Sequence, residues 1–293
     1  MVDYNPKEWF KYIFYFPKTD TARKLTPAII GIGVYAAVLA YLILIYWKVG
    51  ENTDLKNISL MHSLLGFVIS MLLVFRTNTA YDRWWEGRKQ WGALMNSSRN
   101  LALKMDSLLG KNLVHERDFY REMIPNYALS LKNHLRGKYI AKDFTDTKLY
   151  QKNALNPAEH VPNQVASAIF AKTIELQRNE VFSPHEVWLV NAELESFANI
   201  CGACERIKNT PIPLSYSSFI KKFIFIYCLT LPIGYIFSLH FLIIPFVMFV
   251  FYILAGLEVI AEEIEDPFGE DSNDLPVDRI CKGIYTSTHE LIK

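Results

Sequence analysis

The chain lacks most of the features that mark a secreted, nucleic-acid-binding or disulfide-rich protein. Four cysteines occur in 293 residues, and their spacing is not that of a disulfide framework. The formal net charge is +1, so no overall electrostatic bias favours nucleic acid or an acidic partner. Near the start, Asp3, Lys7 and Glu8 precede a broken aromatic run without a small-residue cleavage site, which is not the pattern of a signal peptide.

Motifs for catalysis are also missing. The seven histidines are scattered, and no zinc-protease motif, phosphate-binding loop, dinucleotide fingerprint or Ser/His/Asp arrangement stands out. Cys201 and Cys204 form a single CxxC pair in a predicted helix, where packed cysteines are more common than zinc binding or redox chemistry. We therefore expect no enzymatic activity, and a membrane enzyme that uses this pair or a metal-bearing acidic loop is the least favoured hypothesis.

Long apolar runs are what the chain does contain. Thr26 to Trp47 is uncharged and long enough to cross a bilayer, with Thr26 expected to cap the helix and Pro27 expected in its first turn. A second run ends at Phe75, and charges begin abruptly at Arg76 with no proline to interrupt the helical spacing. We predict one helix from Ile58 to about Gly92 that crosses the membrane and continues into the cytosol.

Two more apolar runs lie near the end of the chain. Phe219 to Leu239 and Phe241 to about Ala261 each predict a membrane helix, and only a tight turn separates them. Basic residues are dense before the first run and after the second but sparse between them, so the positive-inside rule places the N-terminus and the segment after Phe75 in the cytoplasm. With four crossings, the C-terminus is then expected in the cytoplasm as well. Because a carboxylate in lipid is costly, Glu258 should face protein or water.

The polar region between these pairs of runs reads as cytosolic helices. Apolar residues recur there at helical spacing, and no strand-like alternation stands out. Ser183, Pro184 and Glu186 have the arrangement of a helix N-terminus with a capping box. Two prolines exclude a regular helix between Lys208 and Tyr216, and a break is expected between about Gly137 and Pro162.

These patterns predict an all-α membrane protein with a large cytosolic helical region. The expected segments are an N-terminal cytosolic or interfacial segment, two membrane helices, the cytosolic region, two further membrane helices and an acidic C-terminal segment: 1–25, 26–75, 76–217, 218–262 and 263–293. An aromatic cluster in the first segment either lies at the membrane surface or belongs to a short helix packed on a neighbour.

Four carboxylates lie close together after the last apolar run. These acidic-loop carboxylates are Asp266, Glu270, Asp271 and Asp274. Clustered oxygen donors on a bent backbone suit a hard cation such as calcium. The spacing is not that of an EF-hand, however, and a solvated acidic loop is the more common meaning of such a sequence. The loop has too few histidines and cysteines for zinc.

One line of apolar residues on the second membrane helix is a candidate pore lining. Leu60, Leu64 and Val68, the neck line, fall at i, i+4 and i+8. If copies of this helix surround an axis, these side chains form stacked hydrophobic rings that gate by dewetting. Ser63 and Phe67 form a competing line beside it, and by spacing alone ordinary lipid or helix contacts are the simpler explanation of both.

Three stretches resemble signatures of the bacterial branch of the bestrophin family. They are Phe75–Gly92, Cys204–Tyr216 and Ile264–Asp278. Their order and the hydropathy profile are similar to those of the family over essentially the whole chain. The resemblance implies a homopentamer around one ion pore in the bacterial inner membrane, with four membrane helices per subunit and a large helical cytosolic part.

The resemblance also implies positions for the functional residues. It places the family's three-ring neck on the neck line and a second, cytosolic constriction at Ile212, with Ile207 as the alternative one turn away. The family's calcium clasp corresponds to the acidic-loop carboxylates, although Ser272 and Asn273 interrupt the acidic run.

The function implied by the resemblance is passive conduction of small monovalent ions. Animal members pass chloride, whereas bacterial members have been associated with monovalent cations, and hydrophobic rings do not choose the sign. The implied partners are further copies of the chain, membrane lipids and the permeant ions, with calcium as an optional cofactor and no nucleic acid. The alternative is a non-conducting membrane scaffold or sensor that acts through its cytosolic helices and acidic tail.

Overall fold

The computed structural model describes residues 21–47 and 53–293, without the side chains of 53–57. Most of the expected interfacial segment 1–25, including its aromatic cluster, lies outside these residues. The described chain forms two compact units, which we call the apolar unit (21–47, 53–83 and 212–265) and the polar unit (84–211 and 266–293).

The described residues form α-helices and short helical turns, with no β-strand among them. The helices are α1 (Thr21–Tyr41), α2 (Thr53–Leu108), α3 (Val114–Leu135), α4 (Val161–Arg178), α5 (Pro184–Asn209), α6 (Leu214–Leu239), α7 (Ile243–Glu265) and α8 (Val277–Leu291). A π-helical turn, Leu42–Tyr46, extends α1. The expected helical fold is therefore confirmed.

Helix α2 is longer than the sequence predicts. It has 56 residues, which at a rise of about 1.5 Å per residue gives a length of about 84 Å. The hydrocarbon core of a bilayer is only about 30 Å thick. Most of the extra length lies in the polar unit, where Leu94, Leu101 and Met105 keep a helical apolar spacing and are fully buried.

Helix α1 starts earlier than expected, and its predicted cap is wrong. The chain is already helical at Thr21, the first described residue, so Thr26 and Pro27 lie inside the helix. The Thr26 hydroxyl donates to the carbonyl of Ala22 at 2.8 Å, a bond within the helix rather than a cap. Pro27 lacks an amide hydrogen and gives up one helical hydrogen bond, a cost that the packing of α1 evidently outweighs.

Three segments of the described chain are long and apolar enough to cross a membrane. They are Thr21–Tyr46, Ile58–Leu108 and Leu214–Glu265. The third contains both α6 and α7, which a short turn at His240–Leu242 separates. Because α6 has 26 residues and α7 has 23, each alone exceeds the length of about 20 residues that a crossing needs. The tight turn is confirmed, and four crossings stay a prediction.

The apolar unit packs α1, α6, α7 and the first part of α2 around an aliphatic core. His62 of α2 is buried in this unit, where its Nε2 lies 3.0 Å from the Thr230 hydroxyl and its Nδ1 lies 3.0 Å from the Ile58 carbonyl. The Nε2 bond joins α2 to α6, and the Nδ1 bond to the carbonyl of the preceding turn orients the ring, so both nitrogens have a structural role.

The polar unit has a larger core that contains several aromatic rings. Tyr127 of α3 stacks on Phe197 of α5 at 4.5 Å between ring centroids, and its hydroxyl donates to the Phe197 carbonyl at 2.5 Å. The predicted capping box of α5 is confirmed, because the Ser183 amide donates to Glu186 Oε2 at 2.7 Å and the Glu186 amide donates to Ser183 Oγ at 3.3 Å.

The acidic C-terminal segment contains a helix that was not predicted. Helix α8 buries Val277, Ile280 and Ile284 on one side. Their spacing of three and four residues is typical of an amphipathic helix. The helix starts directly after the dense carboxylates, which by themselves are typical of a loop.

Candidate functional site

The neck line turns away from the core of the apolar unit. Leu60, Leu64 and Val68 are 67%, 58% and 44% exposed, whereas Ile69 and Leu73 on the other side of α2 are at most 2% exposed. Phe67, on the competing line, is 71% exposed. A single copy of the chain therefore leaves an apolar surface on α2 that needs lipid, another copy or a pore as its environment.

Ile212 lies in the loop between α5 and α6 and is half-buried. Its amide donates a hydrogen bond of 2.7 Å to Glu265 Oε1. The alternative position, Ile207, is 3% exposed and belongs to the core of the polar unit. Of the two isoleucines, only Ile212 is available to form a constriction.

A buried ion-pair cluster holds the Glu265 side chain in place. Arg76 is 1% exposed, and its Nη2 lies 2.6 Å from Glu265 Oε2 while its Nε lies 3.4 Å from the Glu258 carboxylate. The carboxylate of Glu258 thus faces protein, as expected. Because Glu265 binds Arg76 with one oxygen and the Ile212 amide with the other, the cluster positions the Ile212 loop.

Sequence reasoning missed this cluster. A signal was present, because Arg76 is the first charge after a long uncharged run, and Glu258 and Glu265 lie two helical turns apart on α7. A buried arginine needs carboxylate partners, since an unpaired charge in an apolar interior is costly. The pairing itself, over more than 180 positions of sequence, cannot be deduced from local spacing.

Asp274 is the buried member of the acidic-loop carboxylates. It is 2% exposed, its Oδ2 accepts the Asp271 amide at 2.6 Å, and its Oδ1 has no hydrogen-bond partner. Burial, together with the nearby Asp271 and Asp266 charges, raises the pKa of Asp274 to about 6, although the amide bond opposes the shift. A Cβ at position 269 would lie 2.6 Å from Asp274 Oδ2, so the close approach of this loop requires Gly269.

The other acidic-loop carboxylates do not converge with Asp274. Glu270 lies 2.7 Å from Lys138 Nζ, and this bond holds the pKa of Glu270 below its ordinary value. Asp266 and Asp271 are exposed. In this arrangement the four side chains do not fit a calcium cage, which needs several oxygens around one point. Calcium binding to this loop stays a prediction.

The CxxC pair is buried in the polar unit. Burial raises the pKa of Cys201 to about 12 and raises the pKa of Cys204 as well. Both thiols therefore remain protonated at neutral pH, which makes them poor nucleophiles and poor zinc ligands. This finding favours the packed cysteines of the sequence interpretation over the metal-dependent enzyme.

The sequence is similar to known membrane proteins over nearly its whole length. Residues 1–290 match the family described as bacterial/fungal bestrophin protein. A voltage-dependent anion channel-forming protein of Nostoc sp. is 36% identical over 230 residues, which cover 76% of this chain and 74% of the relative. One of the same description from Mesorhizobium japonicum is 32% identical over 292 residues, which cover 98% and 91% of the two chains.

Solved structures agree with this assignment at the level of the fold. A mutant of a bacterial bestrophin homologue from Klebsiella pneumoniae superposes with a TM-score of 0.80 at 22% identity, covering 92% of this chain and 98% of that one. Together with the whole-length family match, the fold and the apolar helices identify the chain as a membrane protein that belongs to the bestrophin family.

Proposed function

We propose that the protein forms a homopentameric channel that conducts small monovalent ions passively across the bacterial inner membrane. The observation that carries this proposal is the exposed neck line on α2, opposite the face that the helix buries in its own unit. Three large aliphatic side chains in one line give each single subunit an apolar surface that its own chain does not cover. In a ring of subunits around an axis, these surfaces face one another and enclose a pathway.

The neck line is well suited to control that pathway. Residues four apart on a helix are separated by about 6 Å along its axis, so Leu60, Leu64 and Val68 form three successive rings. A narrow ring of aliphatic side chains excludes water and thereby ions unless it widens. These side chains provide a barrier whose height depends on their size.

Ile212 forms a second, cytosolic constriction in this proposal. Its loop is held through the Glu265 carboxylate, which Arg76 fixes in turn. Two flanking prolines further restrict the backbone of the loop. A constriction on a restrained loop keeps its diameter better than one on a free loop.

We propose anions as the permeant ions, because the similar proteins of Nostoc and Mesorhizobium are named anion channel-forming. The neck line carries no charge, so it supports conduction of either sign. The reversal potential under a potassium chloride gradient separates the two. A reversal potential near the chloride equilibrium potential supports anion conduction. A value near the potassium equilibrium potential would still support a pore but would show that it conducts cations.

Flux measurements on purified protein in liposomes test the pore. Leu64→Ala shortens the side chains of one ring, which widens that ring and should raise the flux severalfold. Val74 is an exposed residue of α2 on the side of Phe67, and Val74→Ala should leave the flux unchanged. A flux increase in Val74→Ala alone would assign the pore to the competing line. Absence of flux in every variant, with monomers in detergent, would favour the non-conducting scaffold.

Calcium binding to the acidic loop is a separate proposal that conduction does not require. The four side chains do not converge, so calcium binding requires the loop to rearrange around Asp274 Oδ1, a buried oxygen without a hydrogen-bond partner. Calcium titration of the purified protein and of Asp274→Asn measures this directly. Equal heats for both proteins would exclude the loop as a calcium site.

A further inference from the structure

Three potential metal ligands meet in the polar unit, away from the acidic loop. His134 lies in the last turn of α3, His160 is the N-cap residue of α4, and Glu205 lies on α5. The Nε2 atoms of His134 and His160 lie 2.7 Å and 2.6 Å from the same atom, Oε1 of Glu205. The imidazole rings are tilted by 54° with 4.4 Å between their centroids.

This convergence is distinctive within the described chain. Among residues 21–47 and 58–293, these three form the only group of three or more histidine, cysteine or carboxylate side chains whose ligand atoms all lie within 4.8 Å of one another. Their side chains are about 30% exposed, at 33%, 29% and 29%. A small ion can therefore reach the group from solvent, and a water molecule can remain on its open side.

We propose that His134, His160 and Glu205 form a binding site for a divalent transition metal of the zinc class. Two imidazole nitrogens and one carboxylate oxygen, with water in the fourth position, are a ligand set that zinc accepts. Calcium and magnesium prefer oxygen-only sets, so the two histidines select against them. The ion would connect the end of α3, the start of α4 and the body of α5.

The distances require only a small adjustment. Zinc lies about 2.0–2.1 Å from nitrogen and oxygen ligands, so tetrahedral ligands stand about 3.3 Å apart. The nitrogen–oxygen separations of 2.6 Å and 2.7 Å are those of hydrogen bonds, and each must open by about 0.6–0.7 Å to reach the tetrahedral spacing. We expect rotation of these partly exposed side chains to make this change.

The carboxylate of Glu205 already faces both imidazole rings. Its Oε1 lies within hydrogen-bond distance of His134 Nε2 and His160 Nε2, at 2.7 Å and 2.6 Å, so the three candidate ligand atoms already point towards one place. Cys201, one helical turn away on α5, does not compete for the ion, because burial keeps its thiol protonated.

One hydrogen bond must be given up when the metal binds. The Asn163 amide donates to His160 Nδ1 at 3.1 Å, so without metal the proton of a neutral His160 is on Nε2. Metal at Nε2 moves that proton to Nδ1, where it can no longer accept the Asn163 amide. Metal binding therefore weakens the cap of α4, and the Asn163 amide should exchange faster.

The experiment titrates zinc into tag-free full-length protein in detergent after removal of metals with a chelator. We expect one zinc per subunit and, in His134→Ala and His160→Ala, an affinity lower by about 100-fold or more, since even residues that only support the ligands cost 10–100-fold. The matched control is His289→Ala, because His289 lies 2.9 Å from the single carboxylate of Glu122 and lacks a third ligand. That variant should bind zinc like the wild type.

Two further measurements separate the site from a general effect on folding. Glu205→Gln should keep the helicity and elution volume of the wild type and lose the high-affinity zinc. Hydrogen exchange should show faster exchange at Asn163 when zinc is added to the wild type, and no such change in His134→Ala. Equal zinc affinity in all variants would overturn the site, and unchanged exchange at Asn163 would overturn His160 as a ligand. Neither measurement depends on ion conduction.

Discussion

The two units of the molecule bury different kinds of residue. Of the twelve largest fully buried side chains in the described part of the chain, the polar unit holds all but two. The two in the apolar unit are Ile69 and Arg76. The polar unit has the core of a protein that folds in water, whereas the apolar unit combines a thin aliphatic core with one buried charge cluster and an exposed apolar face on α2. We therefore expect the stability of the polar unit to depend most on the filling of its core, and the stability of the apolar unit to depend most on its buried charge cluster.

The largest expected effect tests the charge cluster of the apolar unit. Arg76→Ala leaves Glu258 and Glu265 without their buried cation, and such a loss typically costs about 3–5 kcal/mol. The matched control is Lys221→Ala, because the exposed pair of Lys221 and Glu262 should contribute about 0–1 kcal/mol. Thermal unfolding in detergent measures both. Similar losses in the two variants would remove the distinction between the units.

A cavity in the polar unit should have the next largest effect. Leu101 is fully buried, so Leu101→Ala should cost about 2–5 kcal/mol through lost burial and an unfilled cavity. Leu64→Ala makes the same chemical change on the exposed neck line and should alter stability by no more than about 0.5 kcal/mol. Denaturation curves of the two variants provide the comparison. A large loss in Leu64→Ala would mean that the neck line is a packing surface.

The pH dependence of the polar unit should report on Asp274. Its folded pKa of about 6 lies above the ordinary 3.8, so the folded state holds this proton more tightly than the unfolded state. Asp274 therefore lowers stability above about pH 6, and this penalty disappears as the pH falls towards 4. The stability gained in Asp274→Asn should shrink over that range in melting curves. Glu290→Gln, which changes an exposed carboxylate on α8, should show no such trend.

The smallest expected effect is the loss of a helix cap. Ser183→Ala removes the hydroxyl that accepts the Glu186 amide and should cost about 1 kcal/mol. The melting temperature of the variant checks this value. Ser183→Asp keeps an acceptor at the N-cap and should restore most of the stability. If both substitutions lower the melting temperature equally, the cap makes no measurable contribution to stability.

Local features of the fold were predictable because their causes lie within a few residues. The apolar runs, the capping box at Ser183 and the break after Gly137 each depend on neighbours in sequence. The start of α1 was not predictable in this way, since packing of the whole helix outweighs the preference of Pro27 for a first turn. Helix α8 was predictable from its apolar spacing but was missed beside the acidic run.

The sequence by itself determined which helices are apolar enough for a membrane and where the charges begin, because hydropathy and helical periodicity are local properties. Only the tertiary structure decided that Arg76 meets Glu258 and Glu265, and that His134 and His160 meet a glutamate 71 and 45 positions away. Such pairings depend on how helices pack, and no spacing along one helix specifies a partner on another.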